Sequence, residues 1–128
     1  MKIRRDPRSS LRSKARRGFR GHPVATIAYY GPDDQRASKV AVGIIAVEGA
    51  EVEPLERWFC EAGDARTDND IGRQVIAFIR QHGAKTIAIT DRIIGCPHEE
   101  VVDYPEGQPC PRCPFWASRD RWSGEPNP

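Results

Sequence analysis

Four potential metal ligands lie within eighteen residues of one another, and this cluster constrains the fold of the chain more than any other feature. Cys96 and His98 stand one residue apart, and Cys110 and Cys113 follow as a C-x-x-C pair after a spacer of eleven residues. Zinc prefers tetrahedral sets of thiolate and imidazole ligands, and three cysteines with one histidine are a common structural set. The spacing therefore predicts one Zn²⁺ ion bound by Cys96, His98, Cys110 and Cys113.

The second half of the cluster, Cys110-Pro-Arg-Cys113, resembles the knuckles of zinc ribbons and rubredoxin-like sites. The gap of two residues lets both thiolates bind one ion while backbone amides face the sulfur atoms. Pro105, Gly107 and Pro109 in the spacer favour a turn that brings the two halves together. The resemblance implies a small zinc-ribbon-like module, although the C-x-H half is tighter than most zinc knuckles.

An iron–sulfur cluster is the alternative to zinc. The C-x-H half is also the first half of the Rieske pattern, which binds a two-iron cluster. Cys113 stands where that pattern has its second histidine, and the spacer of eleven residues is short for it. Iron–sulfur binding would make the chain a redox protein.

A second resemblance concerns zinc deaminases, whose motif is H-x-E followed by P-C-x-x-C. His98 to Glu100 and Pro109 to Cys113 match it, which would make Glu100 the proton shuttle. Only eight residues separate Glu100 from Pro109, too few for the strand and helix starts that divide the halves in deaminases. Cys96 adds a fourth protein ligand, and the neighbouring prolines disfavour a helix at this knuckle. We therefore expect a structural zinc and no catalytic residue.

Residues 23–92 are expected to form a small α/β core of the α+β kind. Runs rich in apolar, β-branched and aromatic residues predict strands over residues 24–30, 39–47, 55–62 and 85–90. The second run is apolar on both faces, which favours a central strand covered on both sides. Cys60, in the third run, is interpreted as a small buried hydrophobic residue.

One crossover helix is predicted between the third and fourth strands. Thr67 and Asp70 stand in the T-x-x-D relation of a capping box, and Gly83 follows the last turn. An apolar stripe at helical spacing comprises Ile71, Val75, Phe78, Ile79 and His82. His82 is expected to pack or cap the end of this helix, and the next strand to run parallel to a neighbour.

The predicted order of elements, β-β-β-α-β, resembles the first half of the ribonuclease H-like fold over about residues 24–91. Nucleases of that fold hold two magnesium ions with carboxylates gathered at one end of the sheet. Asp91 follows the last predicted strand and is suitably placed, but the first strand contains no acidic residue. The resemblance leaves a metal-dependent hydrolase, using Asp91 or Glu100, as an alternative function.

The charge is divided between a basic N-terminal arm and an acidic body. Residues 1–20 contain nine basic residues and one acidic residue, a net charge of +8, whereas the remaining residues carry −6. Such a segment attracts phosphates, so we expect it to bind RNA or DNA and to be disordered alone. The basic residues expected to make these contacts are Arg4, Arg5, Arg8, Arg12, Lys14, Arg16, Arg17 and Arg20.

Aromatic and arginine residues alternate near the C-terminus, where Phe115, Trp116 and Trp122 accompany Arg119 and Arg121. Such pairs can stack on single-stranded bases. Acidic residues surround them, so we expect Phe115 and Trp116 instead to pack over the metal site or against the sheet.

The sequence thus divides into a disordered arm (1–22), the core (23–92), a metal-binding module packed on it (93–122) and a frayed tail (123–128). No run of eighteen apolar residues and no secretory signal is present, so no membrane association is expected. Cysteines arranged as metal ligands rather than disulfides favour the reducing cytoplasm.

Overall fold

The computed structural model describes Leu11 and residues 15–117, apart from the side chains of Thr90 and Asp91. Within this part the chain forms a mixed α+β fold with one four-stranded sheet of order β3-β2-β1-β4. The elements are β1 (Val24–Tyr30), β2 (Lys39–Ile45), β3 (Val52–Phe59), α1 (Asn69–Gln81), β4 (Thr86–Ile93) and α2 (Pro114–Ala117). β2 pairs antiparallel with β1 and β3, while β4 runs parallel to β1. The predicted α+β class, strand number and element order are found.

One face of the sheet and the apolar stripe of α1 make the hydrophobic core. Alternate residues of β1 are buried, and the register places them opposite alternate residues of β2. These pairs are Ala25 with Ile44, Ile27 with Val42, and Tyr29 with Val40. α1 packs on them with its four buried residues, Ile71, Val75, Phe78 and Ile79. Burial of each such large side chain contributes about 1.5–3 kcal/mol, which fixes the helix on this face.

The start of α1 differs from the predicted capping box. Asp68 is the N-cap, and its carboxylate accepts a hydrogen bond from the Ile71 amide at 2.9 Å. Thr67 instead lies in the preceding turn, where its amide donates to the Asp64 carbonyl at 3.0 Å. An aspartate at this position satisfies one of the free amides of the first turn, so it replaces threonine as the cap.

The end of α1 is as predicted. His82 is the C-cap residue, and its ring centroid lies 4.6 Å from that of Phe78. Gly83 follows with φ +63°, a left-handed conformation that glycine adopts without steric cost. The Ala84 amide then donates to the Ile79 carbonyl at 3.2 Å, which closes the last turn.

Three strands have other bounds than the sequence predicts, and the first of them, β2, ends at Ile45 rather than at residue 47. β3 begins at Val52 and ends at Phe59, because Pro54 is tolerated on an edge strand, where an amide is not required by the ladder. β4 continues to Ile93, which pairs with Tyr29. Asp91 therefore lies within β4 rather than after it.

The residues of the N-terminal arm that the structure describes contact the fold, which differs from the expected disorder. Leu11 is 4% exposed and belongs to the hydrophobic core, and Ala15 packs against the same core. The Arg20 amide donates to the Thr86 hydroxyl at 2.8 Å, and that hydroxyl donates to the Gly21 carbonyl at 2.7 Å. The sequence hides this packing because a single leucine gives no apolar periodicity.

Three of the eight arm residues expected to bind nucleic acid, Arg16, Arg17 and Arg20, are exposed. The other five lie outside the described residues: Arg4, Arg5, Arg8, Arg12 and Lys14. Residues 118–128, with Arg119, Arg121, Trp122 and the expected frayed tail, also lie outside them. In the described part of the chain, no helix has the length and apolar character to cross a membrane.

Candidate metal centre

The segment with the four expected metal ligands continues directly from β4 and is aligned by β1. The Ile94 amide donates to the Tyr29 carbonyl at 3.0 Å, and the Gly31 amide donates to the Gly95 carbonyl at 2.9 Å. These bonds extend the pairing of the two strands by one step past their ends. Cys96 is the next residue, so the sheet fixes where the C-x-H half begins.

The structure brings all four predicted ligands together. The Sγ atoms of the three cysteines lie 3.3, 3.4 and 3.5 Å from Nδ1 of His98, in the order Cys96, Cys110 and Cys113. All four donor atoms lie within 4.8 Å of one another. Zn–S bonds of about 2.3 Å and Zn–N bonds of about 2.0 Å at a tetrahedral angle put sulfur and nitrogen about 3.5 Å apart. The residues are therefore placed to hold one metal ion, and their spacing is compatible with zinc.

The chemistry of the donor set also suits a cation. Cys110 and Cys113 are buried, the latter with 2% exposure, while Cys96 and His98 are half-buried. Burial raises the pKa of the Cys96 and Cys113 thiols, because a thiolate loses hydration there. Three crowded thiolates would repel one another without a cation between them. Metal binding offsets this repulsion and releases the thiol protons.

Backbone amides support the two halves of the site. The His98 amide donates to Cys96 Sγ at 3.2 Å, so the tight C-x-H turn directs an amide at a ligand sulfur. In the second half, the Cys113 amide donates to the Cys110 carbonyl at 3.3 Å, which forms the knuckle turn. Both turns hold their ligands through local backbone contacts, and the amide-to-sulfur bond expected of the C-x-x-C half is found in the C-x-H half.

The short helix α2 begins at Pro114, immediately after Cys113. We expected the prolines to disfavour a helix here, but a helix of four residues forms. Proline lacks only an amide that is unpaired at a helix start, and its fixed φ angle suits the first helical position. The Trp116 amide donates to the Cys113 carbonyl at 3.1 Å, so the helix starts on the knuckle itself.

The spacer between the two halves folds into turns, as predicted. The Val101 amide donates to the Tyr104 carbonyl at 2.7 Å, and the Glu99 amide donates to the Asp103 carboxylate at 2.7 Å. The Glu100 carboxylate accepts a hydrogen bond from the Gly107 amide at 3.2 Å. In this contact Glu100 holds the spacer together.

Lys39, at the start of β2, is a site residue that the sequence reasoning missed. Its ammonium donates to the Pro97 carbonyl at 3.0 Å and lies 3.8 Å from the Glu99 carboxylate. Burial lowers the pKa of Lys39, and the Glu99 carboxylate partly opposes that change. In the sequence, Lys39 is simply the residue before a long apolar run. Solvent-facing lysines at strand ends have the same pattern, so the sequence does not indicate that this one is buried.

Trp116 was expected to pack over the metal site or against the sheet, and the second alternative holds for it. Trp116 packs against the hydrophobic core and donates its indole N–H to the Gly31 carbonyl at 2.8 Å. The rings of Phe115 and Trp116 meet edge to face, with centroids 4.8 Å apart. α2 is therefore fixed to the end of β1 by both apolar packing and a hydrogen bond.

Cys60 stands apart from the metal ligands and is buried, as predicted. Its thiol donates to the Ala62 carbonyl at 2.9 Å. Burial and the neighbouring Asp68 carboxylate raise its pKa, which favours the protonated thiol. Cys60 thus provides a natural control for experiments on the other three cysteines.

Comparisons with protein-family models, with curated proteins and with solved structures give no match to this chain.

Proposed function

We propose that this chain is a small cytoplasmic zinc protein in which the zinc is structural and does no chemistry. The observation that carries the proposal is that the donor atoms of three cysteines and one histidine all lie within 4.8 Å of one another. A catalytic zinc keeps one coordination position open for water or substrate, whereas four protein ligands close the site. Zinc would then stabilise residues 94–117, which contain little regular structure of their own.

The compactness of the donor set favours zinc over an iron–sulfur cluster. A two-iron cluster distributes its four ligands over two metal centres that are bridged by sulfide. Here every donor atom lies within 4.8 Å of the other three. That arrangement suits one tetrahedral ion and leaves little room for a second metal.

Metal analysis of anaerobically purified protein, with a visible absorption spectrum, tests this part of the proposal. One zinc per chain and a colourless solution are expected. Iron with inorganic sulfide and a brown solution would overturn the structural zinc site and make the reduction potential the next measurement. A chain that binds no metal would overturn both interpretations.

We propose nucleic-acid or ribonucleoprotein binding through the basic arm as the role that the zinc fold supports. The support is the segregation of charge, with +8 on residues 1–20 and −6 on the rest. Arg16, Arg17 and Arg20 are exposed, so these side chains are accessible to phosphates. Release of counterions from the nucleic acid would supply much of the affinity.

Deletion of the arm is a poor test because it would also remove Leu11 from the hydrophobic core. Replacing Arg16, Arg17 and Arg20 by glutamine neutralises three charges and keeps Leu11. The logarithm of the binding constant falls linearly with the logarithm of the salt concentration. Loss of three phosphate contacts should make this slope less steep by about 2–3. Replacement of exposed Arg73, Arg80 and Lys85 is the matched control and should leave the slope unchanged. If nucleic-acid binding is equally sensitive to salt in both variants, the basic arm does not make the phosphate contacts.

A ribonuclease H-like fold stays a hypothesis for residues 24–91. Its support is the order of the elements together with the parallel pairing of β4 beside β1. The hydrolase alternative has less support, because β1 contains no acidic residue and Glu100 is bonded within the spacer. Replacing Glu100 or Asp91 by alanine would abolish activity in such an enzyme while leaving the zinc content unchanged.

A further inference from the structure

We infer that Lys39 is a positioning residue of the metal centre, which holds the Cys96–His98 turn and balances the net negative charge of the zinc–thiolate centre. The inference rests on the proposed zinc site. Lys39 is a buried residue of the sheet and is not one of the four candidate ligands, so its charge needs a separate explanation.

The contacts of Lys39 fix its ammonium beside the first half of the site. Lys39 lies opposite Tyr30 on β1 and opposite Phe59 on β3, so the three side chains form one row across the sheet. Its Nζ is 5.3 Å from the centroid of the Tyr30 ring and 5.7 Å from that of Phe59. The side chain is only 4% exposed, so it is confined between the two rings.

The hydrogen bond to Pro97 connects this ammonium to the ligands. Pro97 is the one residue between Cys96 and His98, and its carbonyl accepts from Lys39 Nζ at 3.0 Å. A change in the position of this carbonyl would move both neighbouring ligands, because they share its backbone. Outer partners of this kind orient metal ligands and tune their affinity.

The charges around Lys39 also suit a negatively charged metal centre. One zinc ion with three thiolates and a neutral histidine carries a net charge of −1. Glu99 is 3.8 Å from Lys39 and also pairs with Arg57 at 2.7 Å, so its charge is shared between two cations. The Asp103 carboxylate and the Cys96 side of the metal centre supply further negative charge near Lys39. A buried cation is stable only when compensated in this way.

Lys39→Met tests the inference. Methionine keeps an unbranched apolar side chain between the Tyr30 and Phe59 rings, but it removes the positive charge and the hydrogen-bond donor. Zinc affinity is measured on the full chain by competition with a chelator of known affinity. Loss of a supporting partner typically weakens metal binding by about 10–100-fold, and we expect a loss in that range. Arg57→Met is the control, because it removes the other cation that pairs with Glu99 and leaves the Lys39–Pro97 hydrogen bond intact. We expect it to weaken zinc affinity by less than about threefold.

A spectroscopic measurement separates this role from simple packing. In the cobalt-substituted protein, removal of a nearby positive charge raises the energy of the thiolate electrons, so the sulfur-to-cobalt charge-transfer band moves to longer wavelength. A shifted band with weaker affinity supports the inference. Wild-type affinity and an unshifted band in Lys39→Met would overturn it, while a wild-type chain without zinc would overturn the proposed function instead. Lys39→Gln, polar but uncharged, serves the same test if Lys39→Met does not fold.

Discussion

Trp116 donates its indole N–H to the carbonyl oxygen of Gly31 at 2.8 Å, although 85 residues separate them in the chain. Gly31 in turn donates its amide to the Gly95 carbonyl at 2.9 Å, next to Cys96. One residue at the end of β1 therefore connects both halves of the metal centre to the sheet. The C-x-H half is held through Gly95, and the C-x-x-C half is held through the helix that begins after Cys113.

Trp116→Phe should weaken this connection while keeping an aromatic ring in the core. The Gly31 carbonyl loses its donor, which costs about 1 kcal/mol of unfolding free energy, and zinc should dissociate faster. Stopped-flow zinc release to a colorimetric chelator measures the second effect. Trp58→Phe is the control, because it also loses an indole donor, here to Gln74 on the surface. Equal acceleration of zinc release in both variants would contradict the role of the bond.

Gly31→Ala should destabilise the protein strongly. A Cβ atom at Gly31 would lie 2.0 Å from the Arg36 carbonyl oxygen, and backbone atoms cannot yield as a flexible side chain can. Overpacking costs about 1–3 kcal/mol, and we expect the upper end of that range in urea unfolding.

Gly95→Ala is the matched control for this substitution. Its Cβ would be 3.8 Å from the nearest atom, on the Tyr30 ring, which is an ordinary contact. A Gly31→Ala variant as stable as Gly95→Ala would show that the close approach is relieved in solution.

Asp68→Ala should lower the unfolding free energy by about 1 kcal/mol, since the first turn of α1 loses its capping acceptor. Thr67→Ala is the comparison, because the sequence pattern assigns the cap to Thr67 and the structure assigns it to Asp68. Thermal unfolding followed by circular dichroism ranks the two variants. If Thr67→Ala lost more stability than Asp68→Ala, Thr67 would be the cap, as the sequence pattern predicts.

Asp64 should make stability depend on acid pH. Partial burial opposes ionisation, but hydrogen bonds from Arg66 outweigh it and hold the pKa of Asp64 below its usual 3.8. A depressed native pKa stabilises the fold fully above the unfolded value, and the contribution is lost as pH falls through the native value. Asp64→Asn should therefore be less stable than wild type at pH 7, with a difference that shrinks below about pH 4.

Urea unfolding of wild type and Asp64→Asn at pH 7 and pH 3 measures this dependence. Asp70→Asn is the control, because the Asp70 side chain is 81% exposed and its pair with Arg73 contributes little. A gap between Asp64→Asn and wild type that stays constant with pH would contradict the assignment.

Cys113→Ser should reduce the zinc content below one per chain and remove the effect of chelators on thermal unfolding. Structural zinc links its binding free energy to folding, so a chelator should lower the unfolding midpoint of wild type. Cys60→Ser should retain full zinc content, because Cys60 is not among the clustered ligands. Zinc retained in Cys113→Ser and lost in Cys60→Ser would reverse the assignment of the site.

Features that depend on residues close together in the sequence can be predicted from the sequence alone. The four residues that are placed to hold a metal ion could be named from their spacing, since metal chemistry allows few donor types and the knuckle turn is short. β1, most of β2 and the buried stripe of α1 follow from apolar periodicity, which the core then satisfies. Gly83 ends α1 because only glycine adopts that backbone conformation without cost.

Tertiary structure alone decides how these parts are joined. Lys39 reaches Pro97 across 58 residues and Trp116 reaches Gly31 across 85, and neither contact has a local pattern. Leu11 is buried because the fold offers its side chain an apolar site, although its own segment is polar and basic. The sequence by itself determines which residues can bind a metal and which surfaces are apolar. The folded chain determines which distant groups support them, because contacts between remote segments depend on the packing of the whole sheet.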